Sequence, residues 1–297
     1  MNKLPPRPRF SVVIPCYNEE NFIGDTLESL CSQVTKASYE IIVVDNNCND
    51  NTVKIASAYP VKIVHEPLPG ICSARQAGTK VARGEIIIST DADTVFAPNW
   101  LENIKLAFET NNDTVAIGGP CRYYDGPWWA NFYTFFLFRT NKLYSSVVGH
   151  PFYLTATNIA FKKTAWKGYD LNVQAGDELA FLHQLRKSGR VNFNTYNPTF
   201  TSSRRLQQGL LYSIFVSFIF YYLLGYYVNL LFKRKIIGQP PAFRNKSSDL
   251  RTYMPAVVKG IFVMIILALP IVVLNHHIKG IVTDNTHDLA YLIQKIF

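Results

Sequence analysis

Between residues 10 and about 120, five short runs rich in β-branched residues recur with helical patterns between them: FSVVIP (10–15), EIIVVD (40–45), VKIVH (61–65), EIIIST (85–90) and TVAIGG (114–119). Such runs are apolar on both sides, so they bury well only inside a mostly parallel sheet covered by helices on both faces, the arrangement of repeated βαβ units. Between the first two runs, Phe22, Ile23, Thr26, Leu27 and Leu30 fall at helical spacing, with Glu19 and Glu20 at the end where the helix dipole favours acid. Similar amphipathic helices are expected near 51–59, 73–82 and 98–110. The fold class is therefore α/β.

A second portion, about 121–205, holds the aromatic stretch WWANFYTFFLFRTNKLY (128–144), an expected strand at 157–161 and a charged helix at 177–188. Trp128, Phe132, Phe135, Phe136 and Tyr144 can share one helix face, while Asn131, Thr134, Arg139 and Lys142 are polar. That pattern suits a membrane interface, or equally an aromatic stripe packed in the core.

Beyond residue 206 the pattern predicts a membrane-associated region. Residues 209–232 carry no charge for 24 positions, a length of roughly 36 Å as a helix and enough to span a bilayer core. A second uncharged run, 260–278, with Pro270 as a kink and Lys259 at one end, is expected to be a second membrane helix. The loop between them carries Lys233, Arg234, Lys235, Arg244, Lys246 and Arg251 against Asp249, which by the positive-inside rule belongs in the cytoplasm. A cytoplasmic N-terminal domain and a single span at 209–232 would put that loop outside. Either the first run is re-entrant or in-plane, or a two-span hairpin tolerates the charges. Within 281–297, Leu289, Leu292, Ile293, Ile296 and Phe297 suggest a short surface helix.

Of the 297 residues 48% are hydrophobic and 17% charged, and Lys+Arg exceed Asp+Glu by 30 to 21, a formal charge of +9. The excess suits nucleotide diphosphates or phospholipid headgroups. Much of it lies beside the apolar runs rather than on a folded basic face, which argues against nucleic acid as the partner. The 5 cysteines lack CxxC spacing and a clustered His partner, so neither zinc nor a disulfide framework is indicated and a reducing compartment is expected. The opening MNKLPPRPRF has no apolar signal-peptide core, and a cytoplasmic catalytic domain at a membrane is the expected location. Nothing in the pattern sets an oligomeric state.

Ligands of open parallel sheets bind beyond the carboxyl ends of the strands, and here those ends are acidic and small: Pro15-Cys16-Tyr17-Asn18-Glu19, Asp45 to Asp50, and Asp91-Ala92-Asp93. Asp91 and Asp93 can reach one Mg²⁺ or Mn²⁺ if the chain turns as it leaves the strand, since hard cations take one or two carboxylates plus phosphate oxygens. Spacing alone also fits a structural turn. Arg75 lies near the start of a helix after Gly70, where a guanidinium can pair with an anion. The pair Asp177 and Glu178 is read either as catalytic carboxylate or as helix capping.

SVVIPCYNEE, IIVVDNNCNDNT, GICSARQAGTKVARGEIIISTDAD and AGDELAFLHQLRKSGR together resemble the family 2 glycosyltransferases over roughly residues 10–205. The resemblance implies a GT-A-like nucleotide-binding fold in two halves, about 10–120 for the nucleotide-sugar and about 121–205 for the acceptor, with 206–297 as the membrane region. It implies that Pro15, Tyr17, Glu19 and Asp45 contact base and ribose, that Arg75 lies near the nucleotide, and that Asp91 and Asp93 are the DxD metal pair. Counting back from Gly189 gives Glu178 the base position, with Asp177 one place earlier. Asn46 stands where the family commonly has a second aspartate, and Gln76 where it commonly has asparagine. Arg204 and Arg205 precede the first apolar run, where processive members carry Q-x-x-R-W; Leu206 replaces that tryptophan. The arginines are read as diphosphate or acceptor-phosphate ligands, or as a basic pair flanking a membrane.

The expected function is an inverting, metal-dependent hexosyl transfer from a nucleoside-diphosphate sugar, a UDP-sugar by preference, to a polyprenyl phosphate, glycolipid or envelope polysaccharide precursor. A non-catalytic nucleotide-binding membrane scaffold and a nucleotidyltransferase are the alternatives; the second lacks its Gly-rich phosphate loop.

Overall fold

The structure, a computed structural model, describes residues 7–171, 177–204, 206, 209, 212–232 and 236–237, all within one unit, Met1–Lys246. The first half alternates as its pattern requires: β1 (Phe10–Cys16), α1 (Ile23–Cys31), β2 (Tyr39–Asp45), α2 (Thr52–Ala56), β3 (Lys62–His65), α3 (Ile71–Val81), β4 (Ile86–Ser89), β5 (Thr94–Phe96), α4 (Trp100–Glu109) and β6 (Thr114–Gly118). The second half adds β7 (Cys121–Tyr123), α5 (Trp128–Val148), β8 (Ile159–Lys162), α6 (Asp177–Arg186), β9 (Arg190–Phe193) and β10 (Thr199–Thr201).

Seven strands form one sheet in the order β3-β2-β1-β4-β8-β6-β9. From β3 to β4 the pairing is parallel, whereas β8 enters antiparallel to both β4 and β6, so the sheet is mixed. The two halves of the sequence thus share one sheet.

Alternation along the central strands sends successive side chains to opposite faces. Val12 and Ile14 meet Leu27 and Leu30 of α1 and Trp100 and Leu101 of α4, while Val13, Ile42, Val44 and Ile87 pack with Ala74 of α3 and Leu185 of α6. Burial on both faces explains why these runs read as continuous apolar segments.

The chain passes directly over the central strand at Gly84, between α3 and β4, where an added Cβ would lie 2.6 Å from the Ser11 nitrogen and 2.7 Å from the Phe10 carbonyl carbon. Both are backbone atoms of the central strand and cannot rotate away. Gly84→Ala is expected to cost about 3 kcal/mol, seen as a lower urea midpoint. Gly24→Ala, with its nearest atoms 3.8 Å away inside α1, is expected to stabilise by about 0.5–1 kcal/mol.

The aromatic face of α5 is not a core stripe. Trp128, Phe132, Phe135 and Phe136 are exposed, and Ala130, Thr134, Phe138 and Asn141 are buried. Gly149, at φ 86°, ends the helix in the left-handed conformation that glycine tolerates.

The expectation of C-terminal membrane-spanning helices is corrected for 209–232. Tyr212–Leu224 winds as a π-helix and passes into α7 (Gly225–Phe232). Among the described residues no helix is long and apolar enough to cross a membrane. The change of winding divides the apolar run, and its Ser213, Val216 and Phe220 are buried within the protein. Asn229 then ties residues 236 and 237 back to α7: its amide donates to the Ile237 carbonyl at 2.8 Å and accepts from the Ile236 and Ile237 nitrogens at 2.8 and 2.9 Å. The run 260–278, the loop 238–251 and the tail 281–297 lie outside the described residues.

Candidate active site

Parallel pairing sets the acidic strand ends side by side. Cys16 is in register with Asp45, and Val13 with Ser89, so the first three acidic segments leave the sheet at one rim. The loops after β1 and β2 are then laced together: the Asn49 nitrogen donates to the Asn18 side chain at 2.8 Å, the Glu20 nitrogen to Asp50 at 3.1 Å and the Glu19 nitrogen to the Thr52 hydroxyl at 2.7 Å. Asn18 and Asn47 adopt positive φ, 56° and 69°, which asparagine accepts more readily than most residues.

Asp45 ends β2, where its carboxylate accepts from the Cys48 nitrogen at 2.8 Å and meets His65 Nδ1 at 2.9 Å. Burial pushes this carboxyl up, but the Cys48 and His65 contacts outweigh it and hold it below the usual aspartate value. The neighbouring Asn46 is a structural clamp. Its amide donates to the Glu66 and Leu68 carbonyls, both at 2.8 Å, and its oxygen accepts from the Gly70 nitrogen at 2.8 Å. An aspartate there could not donate to those two carbonyls.

Arg75 is buried on α3 and its Nη2 pairs with Asp91 Oδ1 at 3.2 Å. Next to it, the Gln76 oxygen accepts from the Tyr169 nitrogen at 2.9 Å. That contact anchors the chain just before α6, the helix carrying the second acidic pair.

Asp93 is placed by a small second sheet of order β5-β10-β7. Thr201 of β10 pairs with Thr94 of β5, its hydroxyl donates to Asp93 Oδ1 at 3.2 Å, and the Ser202 nitrogen donates to the Asp93 carbonyl at 3.1 Å. Three residues past Thr201, Arg204 Nη2 meets Asp93 Oδ2 at 3.0 Å. The same guanidinium grips Glu19 with two bonds, 2.7 and 2.8 Å, and lies over the Phe22 ring at 4.9 Å. Burial opposes the Arg204 charge, but Glu19, Asp93 and Asp91 together more than offset it and raise its pKa. Asp125 supports the turn, accepting from the Ser202 hydroxyl at 3.0 Å and the Ser203 nitrogen at 2.6 Å.

Glu178, the second residue of α6, lines a void of about 10 Å³ together with Arg75, Ser89, Thr155 and Tyr169, room for about one water. Burial first, and then the Glu178 charge, push the Tyr153 hydroxyl up. Arg75 therefore stands between Asp91 on one side and Glu178 on the other. Asp177 opens α6, but its side chain, like the whole of Arg205, lies outside the described residues. Pro15 and the exposed Tyr17 stand at the end of β1.

Among the described residues no three His, Cys, Asp or Glu side chains form a ready-made metal cage. A hard divalent ion that takes most of its ligands from phosphate and water needs no more than one or two carboxylates. The rim offers two carboxylates of that kind, Asp91 paired with Arg75 and Asp93 with Arg204. The Arg204 guanidinium already occupies the field of three carboxylates, so the rim is built to hold positive charge.

His65, Asp125, Tyr153, Tyr169 and Thr201 join the site without having been singled out from the sequence. The DNNCND turn pointed towards His65 only through the parallel register of β2 and β3; for the others no local motif exists.

Residues 11–168 match the sequence model of glycosyl transferase family 2. The chain is 28% identical over 170 residues to the chondroitin synthase of Escherichia coli, a match that takes in 55% of this chain and 24% of that protein, so the chain spans about a quarter of that relative's length. Two solved structures share the fold. S. aureus TarS in complex with UDP-GlcNAc has a TM-score of 0.55 at 18% identity, with 66% of this chain and 58% of that one covered. The mannosyltransferase PcManGT of Pyrobaculum calidifontis, in complex with GDP-Man and Mn2+, has a TM-score of 0.54 at 21% identity, with 66% and 57% covered.

Proposed function

The chain belongs to glycosyl transferase family 2, and on that premise we propose that it is an inverting transferase. It moves a sugar from a nucleoside-diphosphate sugar, preferably a UDP-sugar, to a lipid-linked or membrane-proximal glycan acceptor. The observation that carries this reading is the clustering of acid and arginine at the rim: Glu19, Asp91 and Asp93 around Arg204, with Arg75 joining Asp91 to the void that holds Glu178.

In this reading Pro15, Tyr17, Glu19 and Asp45 take the base and ribose, Asp45 kept ionised by the Cys48 nitrogen and His65. Asp91 and Asp93 would hold Mg²⁺ or Mn²⁺, which when bound would supply Lewis-acid neutralisation of the diphosphate charge. Arg75 and Arg204 face the same phosphates, as does Arg205 by its place in the sequence. Glu178, or Asp177 one place earlier, accepts the proton of the acceptor hydroxyl. That oxygen forms its bond to the anomeric carbon as the bond to diphosphate breaks on the opposite side, and the electron pair leaves with the nucleotide.

None of the five cysteines is joined in a disulfide, in keeping with a catalytic unit on the cytoplasmic side of a membrane. The decisive experiment is a screen of the full chain against UDP-, GDP- and dTDP-sugars, with Mn²⁺, Mg²⁺ or chelator. We expect metal-dependent donor hydrolysis, and transfer once a lipid-linked acceptor is supplied. Nucleotide binding without turnover of any donor would favour the scaffold and sink the enzyme.

A further inference from the structure

Helix α5 keeps most of its large apolar side chains on its outward face. Its domain-facing side carries the polar Thr134 and Asn141, and Asn141 is fully used there: its amide donates to the Tyr153 carbonyl at 2.8 Å and accepts from the Phe152 and Tyr153 nitrogens at 3.0 and 3.2 Å. The outward side carries Trp128, Phe132, Phe135, Phe136, Leu143 and Val147, with Trp128 89% and Val147 79% exposed. These positions follow one another at helical spacing along 21 residues, a stripe about 30 Å long. Phe138 is the one large apolar side chain of the helix buried in the core, so a helix that leaves six large apolar side chains outward is built for an apolar neighbour.

Charge identifies that neighbour. Helix α5 carries no Asp or Glu, while Arg139 and Lys142 are present and exposed. Arg139 lies within the stripe, its guanidinium 5.8 Å from the centre of the Phe135 ring, an arrangement that lets an arginine lay its stem on apolar surface and keep its charge at the edge. A second copy of this chain would set one acid-free basic face against another. The chain's own apolar run 260–278 carries no acid to answer Arg139 and Lys142. Anionic phospholipid answers both the rings and the cations.

We propose that the outer face of α5 lies in the headgroup region of an anionic bilayer and seats the catalytic unit there. This deepens the reading of a membrane-proximal acceptor and rests on it for its biological purpose. The sheet rim would then work at the lipid surface.

Flotation of the full chain with phosphatidylcholine vesicles, with or without phosphatidylglycerol, tests the idea. Binding is expected to be about tenfold tighter with phosphatidylglycerol, and to fall about tenfold in Phe132→Asp/Phe136→Asp. Arg139→Glu/Lys142→Glu is expected to erase the preference for the anionic lipid. All four side chains are exposed, so urea midpoints should be parental. Parental vesicle binding by both double variants would overturn the proposal, as would a dimer that Phe132→Asp/Phe136→Asp dissociates. Hydrogen exchange in α5 that vesicles leave unchanged would overturn it too. Donor hydrolysis, which needs no lipid, should persist in these variants; its absence from the parent chain would count against the transferase and leave the vesicle result standing.

Discussion

Glu178→Gln should bind nucleotide-sugar as tightly as the parent and lose transfer by about 10²- to 10⁴-fold, the range for removal of a general base. The substitution keeps the side chain's size and one acceptor oxygen, so the void it shares with Arg75, Thr155 and Tyr169 is not emptied. What disappears is the ability to take a proton. Asp177→Asn, at the first position of α6, should fall by no more than a few-fold, because a neutral asparagine still serves a helix N-terminus. Donor affinity by calorimetry and transfer by single-turnover assay separate the two effects. A catalytic Asp177→Asn defect beside an active Glu178→Gln would move the base one residue and sink the present assignment.

Arg204→Met is expected to cost stability even where no substrate is present. Glu19 and Asp93 have side chains only 11% and 10% exposed, and both bond to the same guanidinium. Removing one partner of a largely buried ion pair costs about 3–5 kcal/mol because the remaining charge stays desolvated. For a chain of this size that corresponds to a fall in Tm of roughly 10 °C. Under the proposed function the two-carboxylate rim is also a cation site. Millimolar Mn²⁺ should therefore raise the Tm of the variant more than that of the parent. Equal melting of variant and parent in chelator would show that the arginine does not carry the charge balance of this rim.

Strands β1, β2, β4 and β6 were legible because each is largely buried on both sides and four to seven residues long, enough for composition to speak, and the edge strand β3 because its β-branched Ile63 and Val64 follow the same spacing. Strands β5, β7 and β10 have three residues each, too few for any period, and their pairing depends on partners far away in the chain. The apolar composition of 209–232 was read correctly, but composition does not encode a π-helix or the turn that Asn229 closes. At the rim, the acids at 45, 91, 93 and 178 announced themselves by following strands or opening a helix. Their arrangement did not: the bond between Arg204 and Glu19 links residues 185 positions apart. Asn46 and Gln76 looked like departures from a pattern, and in space each is an amide that fastens a loop, Asn46 the segment 66–70 and Gln76 of α3 the chain at Tyr169.

The three-stranded sheet has a bearing on the order of events at the ribosome. Its central strand, β10, is made about a hundred residues after β5, and it alone delivers Thr201 and Arg204 to Asp93. Until that stretch emerges, a nascent chain can lay down the strands from β1 to β4 and pair Asp91 with Arg75, but it holds Glu19 and Asp93 without the arginine they share. Loop closure over such separations is slow, so maturation of the rim belongs to the last phase of folding, after the sheet beneath it has set.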